Sequence, residues 1–424
     1  SHRYLFTNAF TPMRRSLLRY TRVLLLPLLA AGLVLTGCDS TGSNGGDGEN
    51  DQNAFVYPSS SYETATVSNL LAFDLGVRTQ NASDNTESAL IDRYTGAIDD
   101  KTIRAAQNLT TEGQSVYSDI QGGVDLSSLV STDDLLQSSQ LEAADSPSPG
   151  APVNTDELLR HYFKQAGANN VTPATSNGIV LNQFAEKMLL GTPIYGQGAA
   201  ILSGFANGTL TGNQAEQWDT AFGYFGFPRT LEPFLNYSGG TEGLAGGPTQ
   251  DVDGNGAVDL TSEYVHTWAA YAIERSAAAA NNGQPNDFAR RAFDALVDGR
   301  QDIENGNDPS DHARTALDAW EKVVAVNVIH YINSMQGNLE GTSGTLGEGD
   351  VGEDAWGEAK AFAWGLQFYS DKLTDAQLSD VLEDIGNDPP YGELTAEQYT
   401  ADLTTVKETL RDAYDFDSSN VAAW

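Results

Sequence analysis

The sequence predicts an all-α fold: one multi-helix bundle or two packed bundles, with few or no strands. Three observations carry this. Apolar residues recur at i, i+3, i+4 and i+7 over long stretches from Thr155 onward. Two-residue alternation of apolar and polar residues is almost absent. Short or medium polar loops separate the periodic segments, the pattern of neighbouring helices in a bundle.

Ala54–Ser83 begins with Phe55-Val56-Tyr57-Pro58, an extended entry leading into a first helix through Asn69-Leu70-Leu71-Ala72-Phe73. Glu87–Asn108 reads as helical with a break, and Gln114–Ser139 is ambiguous because its polar runs lack a period. Ala143–Asn154, rich in Ser, Pro, Ala and Gly, is a loop and a candidate internal boundary. A helix then starts at Thr155 with acids in its first turn. Gly178–Leu202 predicts a long apolar helix kinked at Pro193. Further helices are expected over Asn213–Gly226, Leu260–Asn281 and Asp287–Asn305, the last with Phe288, Ala292, Phe293 and Leu296 on one stripe. Pro309–Met335 is the longest, with Ala316, Leu317, Trp320, Val323, Val324, Asn327, Val328 and Tyr331 at helical spacing. Asp354–Tyr369, Thr374–Ile385, Thr395–Tyr414 and a last turn ending at Trp424 complete the series.

The first residues tell of destination. Met13 is the expected start, after which Arg14, Arg15, Arg19 and Arg22 form a basic region and Val23–Thr36 an apolar run of signal-peptide length. The run closes on Leu35-Thr36-Gly37-Cys38, which resembles the lipobox of bacterial lipoproteins. Cys38 is the only cysteine, so an internal disulfide is excluded and lipidation gives the thiol a use. The expected product is cut before Cys38 and held in a lipid bilayer of the cell envelope by acyl chains. Each buried methylene of those chains contributes about 0.8 kcal/mol. Ser40–Asn53, small, polar and acidic, is the expected flexible tether to a helical domain over 54–424.

The formal charge of −35, from 23 basic and 58 acidic residues, argues against nucleic acid or an anionic lipid surface as partner. The acids are spread along the whole chain and lysine is sparse. This fits a halophilic protein solvated for high salt, where a Debye length of about 3 Å at 1 M screens self-repulsion.

The sharpest motif is Asp251-Val252-Asp253-Gly254-Asn255-Gly256-Ala257-Val258-Asp259. Calcium takes six to eight oxygens from alternate loop positions, with a glycine where the chain turns sharply. Asp251, Asp253 and Asn255 fill positions 1, 3 and 5, Gly256 the turn, the Ala257 carbonyl position 7 and Asp259 position 9. Position 12 is Ser262, and Glu263, one residue late, is the acid expected to swing in from the first turn of a helix starting at Leu260 or Thr261. The competing view is an Asx-rich turn with Asp259 as helix cap.

A second candidate is a polar pocket at the bundle centre lined by Glu186, Trp218, Asp219, Glu321, His330 and Glu358. Buried carboxylates need partners, and Lys187, Lys322 or Lys360 are placed to pair with them. Glu263-Tyr264-Val265-His266 is a single Glu-x-x-His, where a di-iron carboxylate site needs two. A His-Glu-x-x-His zinc motif, a phosphate-binding glycine loop and a dinucleotide fingerprint are all lacking.

Four stretches in order, Trp218–Gly226, Asp259–Tyr264, Ala319–Lys322 with His330–Asn333, and Ala361–Phe368, resemble the bacterial family known as domain of unknown function 4856. The resemblance covers roughly residues 55–424, and Thr220 stands where the family pattern Trp-Asp-Glu-Ala-Phe has Glu. That family is in turn similar to the imelysin-type proteins, exported two-bundle proteins linked to iron uptake. The resemblance implies a non-enzymatic lipoprotein accessory to iron or metal acquisition, with an iron-uptake system as partner. The imelysin Gly-x-His-x-x-Glu signature is missing, so no iron ligands carry over. Two other functions stay open: a scaffolding envelope protein, and a hydrolase using a bundle-centre Glu/His site.

Overall fold

A computed structural model of the chain describes residues 54–57, 60–80, 86–120, 124–168, 174–235 and 251–424. The basic leader, Cys38 and the acidic tether lie outside the described residues. The described part is all-α. Among its residues there is no strand, only isolated bridges such as Ala54 with Thr230 and Thr111 with Val258. No described helix is long and apolar enough to cross a membrane.

The helices are α1 (Ser60–Gln80), α2 (Glu87–Tyr94), α3 (Thr155–Ala168), α4 (Leu181–Leu190), α5 (Gln197–Ala206) and α6 (Gln214–Phe225). They continue with α7 (Thr267–Asn281), α8 (Phe288–Asn305), α9 (Ser310–Leu339), α10 (Glu353–Gly365), α11 (Asp375–Ile385), α12 (Ala396–Tyr414) and α13 (Ser418–Ala423). Of Glu87–Asn108, expected helical with a break, Glu87–Tyr94 is α-helical and Ala105–Asn108 a short 3₁₀ turn, and the ambiguous Gln114–Ser139 forms short 3₁₀ turns, among them Tyr117–Asp119 and Leu126–Ser128.

α9 is the axis of the fold. It packs against α5, α7, α8, α10 and α12, and from Ala319 to Ile332 its residues are buried on nearly every side. A helix apolar around most of its circumference belongs inside a bundle, and α9 buries residues well beyond the one stripe that its spacing marks. α1 lies against α4 and α6, and α4 against α10. The candidate boundary at Ala143–Asn154 separates no body: α3, which follows it, packs on α1 and α2.

Local signals set the ends. Asn213 caps α6 by accepting the Glu216 N–H, and Gly226 at φ +85° closes it in the left-handed conformation. Thr374 with Gln377 and Thr395 with Gln398 form capping boxes at α11 and α12. Pro193 does interrupt the long apolar helix, as a π-helical turn over Gly191–Gly196 joining α4 to α5. Proline has no N–H to donate and clashes with the preceding turn, and a wider turn relieves both.

One helix starts later than its sequence suggests. α7 begins at Thr267, not at Leu260 or Thr261. Residues 260–266 form a turn and an extended link because the Glu263 carboxylate folds back onto backbone N–H groups. The His266 N–H, meanwhile, donates to the Gly226 carbonyl at 2.9 Å.

Candidate calcium loop and central cavity

The loop folds around its own acids. The Asp251 carboxylate accepts the N–H of Asn255 at 2.9 Å and of Gly256 at 2.7 Å, while Asp253 accepts that of Asn255 at 3.0 Å. Gly254 and Gly256 take φ of +74° and +92°, which a side chain would oppose. Glu263, buried at the base, accepts from Val252 at 2.8 Å and Asp253 at 3.0 Å on Oε1, and from Asp259 at 3.0 Å on Oε2. A carboxylate oxygen accepts about two strong bonds, so Oε2 keeps one lone pair for a cation.

Asp259 takes the role of the competing view. Its carboxylate accepts from the Gln114 side chain at 2.9 Å, from the Thr261 N–H and hydroxyl at 2.8 and 2.7 Å, and from Ser262 at 2.9 Å. Burial works against its charge, but those bonds hold the carboxyl below its usual range. It caps a turn, though not a helix, and is fully committed there.

A residue from elsewhere in the chain joins the loop. Thr110 and Glu112 exchange backbone hydrogen bonds with Val258, which brings the Glu112 carboxylate beside Asp253. The Asn255 amide nitrogen bridges Glu112 and Asp253. Carboxylate oxygens of Glu112, Asp253 and Glu263 lie within 4.8 Å of one another, the only such metal-capable trio among the described residues. Nothing in the local pattern around Glu112 marks it, because its place depends on pairing with a strand-like segment far along the chain.

The second region is a cavity of about 840 Å³ between α1, α4, α7, α9 and α10. Glu186 and Glu358 both face it and share Lys187, whose ammonium lies 2.8 Å from Glu186 and 3.1 Å from Glu358. Burial disfavours the Lys187 charge, yet the carboxylates of Glu186 and Glu358 hold it protonated, well above its usual range. Burial raises the Glu358 carboxyl, and Lys187 offsets part of that. His330 also lines the cavity; burial and the nearby Arg275 push its pKa down to about 3, so the imidazole is neutral.

Three of the six residues expected in one central pocket therefore meet, and three do not. Trp218 is fully buried, and its indole donates to the Leu296 carbonyl at 2.7 Å. Asp219 is paired with Arg300 at 2.7 Å. Glu321 pins the link after α10: it accepts from the Ser370 hydroxyl at 2.6 Å, the Asp371 N–H at 3.1 Å and the Tyr414 hydroxyl at 3.0 Å. Helical spacing orders residues along one helix, but the facing partner decides which cavity each one joins. Of the lysines expected as partners, Lys187 serves the cavity and Lys322 pairs with Asp318. Lys360 instead donates to the Leu382 and Gly386 carbonyls at the end of α11. The single Glu-x-x-His is split: Glu263 belongs to the loop, and His266, pushed down to about 4 by burial, bonds the Leu260 carbonyl at 3.0 Å.

No protein-family model matches the chain, and neither a curated protein nor a solved structure matches it.

Proposed function

We propose that this chain is a lipid-anchored, non-enzymatic protein of the cell envelope whose Asp251–Glu263 loop binds a structural calcium ion. The observation that carries the calcium assignment is the convergence of Glu112, from a distant segment, on Asp253 and Glu263. Three carboxylates in a hard-oxygen setting suit calcium, and the compartment implied by the lipobox at Cys38 holds it at millimolar level. Asp251, the Asn255 amide oxygen after a rotation of that group, and the Ala257 carbonyl supply further oxygens. Asp259, engaged in its turn, contributes none directly.

The ion would tie the 110–114 segment to the link preceding α7, so its role is to brace the fold. A role accessory to iron or metal acquisition is proposed on the family resemblance alone. The hydrolase alternative draws less support, since Glu186 and Glu358 are bound to Lys187 rather than to a histidine.

Isothermal titration of calcium into chelator-treated protein tests the site. One ion per chain is expected, with binding lost in Asp253→Asn and retained in Asp134→Asn, an exposed acid outside the loop. Binding that survives Asp253→Asn would overturn the assignment.

A further inference from the structure

A second cavity, of about 410 Å³, lies between α8, the first half of α9, the end of α5 and the link that follows α10. Three cations from separate parts of the chain line it: Arg291 from α8, Arg314 from α9 and Lys372 from the link. A fourth, Lys322 on α9, pairs with Asp318 in the same wall. The chain has only 23 basic residues against 58 acids, so a gathering of four is not what scattered pairing would give.

Asp318 is where they meet, and it sets one charge against three. Its Oδ2 lies 3.0 Å from Arg291 and 3.1 Å from Lys322, while Lys372 stands 3.8 Å from Oδ1, too far for a hydrogen bond. The Arg291 side chain is 46 % exposed, so its guanidinium keeps N–H groups open to water. The remaining carboxylates do not restore the balance within the cavity. Glu321 is spent on the Ser370 and Tyr414 hydroxyls and on the Asp371 and Lys372 N–H groups, and by holding that link it sets Lys372 beside the cavity. Asp311 and Asp371, 93 % and 72 % exposed, pair with Arg314 and Lys372 at the rim, where water screens them.

A carboxylate offers two oxygens in one plane, and that of Asp318 already leaves Lys372 out of reach. A tetrahedral oxyanion offers more oxygens in different directions, which suits cations arriving from three segments. We infer that this cavity binds a phosphoryl oxyanion, either free phosphate or the phosphate of a small ester, through Arg291 and Lys372 with Arg314 at the rim. The site is separate from the calcium loop and does not depend on it.

The test is titration calorimetry of inorganic phosphate and of glycerol 3-phosphate into the protein in calcium-free buffer. The charge of −35 repels anions over most of the surface, so saturable uptake reports a local arrangement. Expected is saturable binding of at least one of the two at one site per chain, weakened at least tenfold in Arg291→Gln and in Lys372→Gln. Arg411→Gln, which removes a cation from α12, should bind as the parent does. Succinate, an anion with carboxylates alone, should bind more weakly than the phosphates. The tighter of the two phosphate probes tells the free ion from an ester. No saturable binding, unchanged binding in either cavity variant, an equal loss in Arg411→Gln, or tighter binding of succinate would overturn the inference.

Discussion

Lys187 on α4 lies 3.1 Å from the Glu358 carboxylate on α10, and both side chains are nearly buried. The contact joins two helices that pack along the central cavity, and it is completed by Glu186. Removing the shared cation leaves two desolvated carboxylates facing each other. Lys187→Met is expected to cost about 3–5 kcal/mol, measured by urea denaturation. Glu358→Gln should cost less, because Glu186 still holds the ammonium. Equal losses in the two variants would contradict the sharing.

α6 and α8 are held closer than side chains ordinarily allow. A Cβ on Gly299 would lie 2.1 Å from the Trp218 ring, whereas a Cβ on Gly337 would meet nothing within 4 Å. Gly299→Ala is expected to destabilise by at least about 1–3 kcal/mol through overpacking. Gly337→Ala, in the open last turns of α9, is expected to stabilise by about 0.5–1 kcal/mol. Thermal denaturation of the two variants checks the contrast.

His266 gives a pH dependence of defined sign. Burial lowers its pKa from 6.5 to about 4, so between those values the unfolded chain binds the extra proton. Its contribution is present above pH 6.5 and is lost as pH falls towards 4, by about 3 kcal/mol between pH 7 and 4. Asp74, raised to about 6 by burial despite Arg78, acts oppositely: its contribution is present at low pH and is lost as pH rises through about 6. The informative comparison is therefore parent against His266→Gln. The parent should lose more stability on acidification, and parallel pH profiles would refute the assignment.

The lipobox makes a prediction that needs no structure. Expressed from Met13 in a bacterium, the chain should fractionate with membranes, and Cys38→Ser should release it to the soluble fraction. Release of both forms, or of neither, would remove the anchor from the account.

Much of the helical order was legible because it is local. Asn213 with Gly226, Thr374 with Gln377 and Thr395 with Gln398 state where α6, α11 and α12 begin or end within a few residues of chain. Pro193 likewise announced the break between α4 and α5. The late start of α7 was hidden, since it depends on Glu263 turning back to Val252 and on His266 reaching Gly226. The same holds for the sites. Asp251, Asp253 and Glu263 were readable as a spacing, but Glu112 reaches the loop only through the Val258 pairing. Glu186, His330 and Glu358 converge as expected, while Trp218, Asp219 and Glu321 are drawn to Leu296, Arg300 and the Ser370 link.

The calcium loop is tested most directly by differential scanning calorimetry of chelator-treated protein at zero and at millimolar calcium. A rise in Tm with calcium is expected, since an ion that binds only the folded chain at about 100 times its Kd adds roughly 2.7 kcal/mol. The rise should be absent in Asp253→Asn and reduced in Glu112→Gln. An unchanged Tm in the parent at millimolar calcium would contradict it.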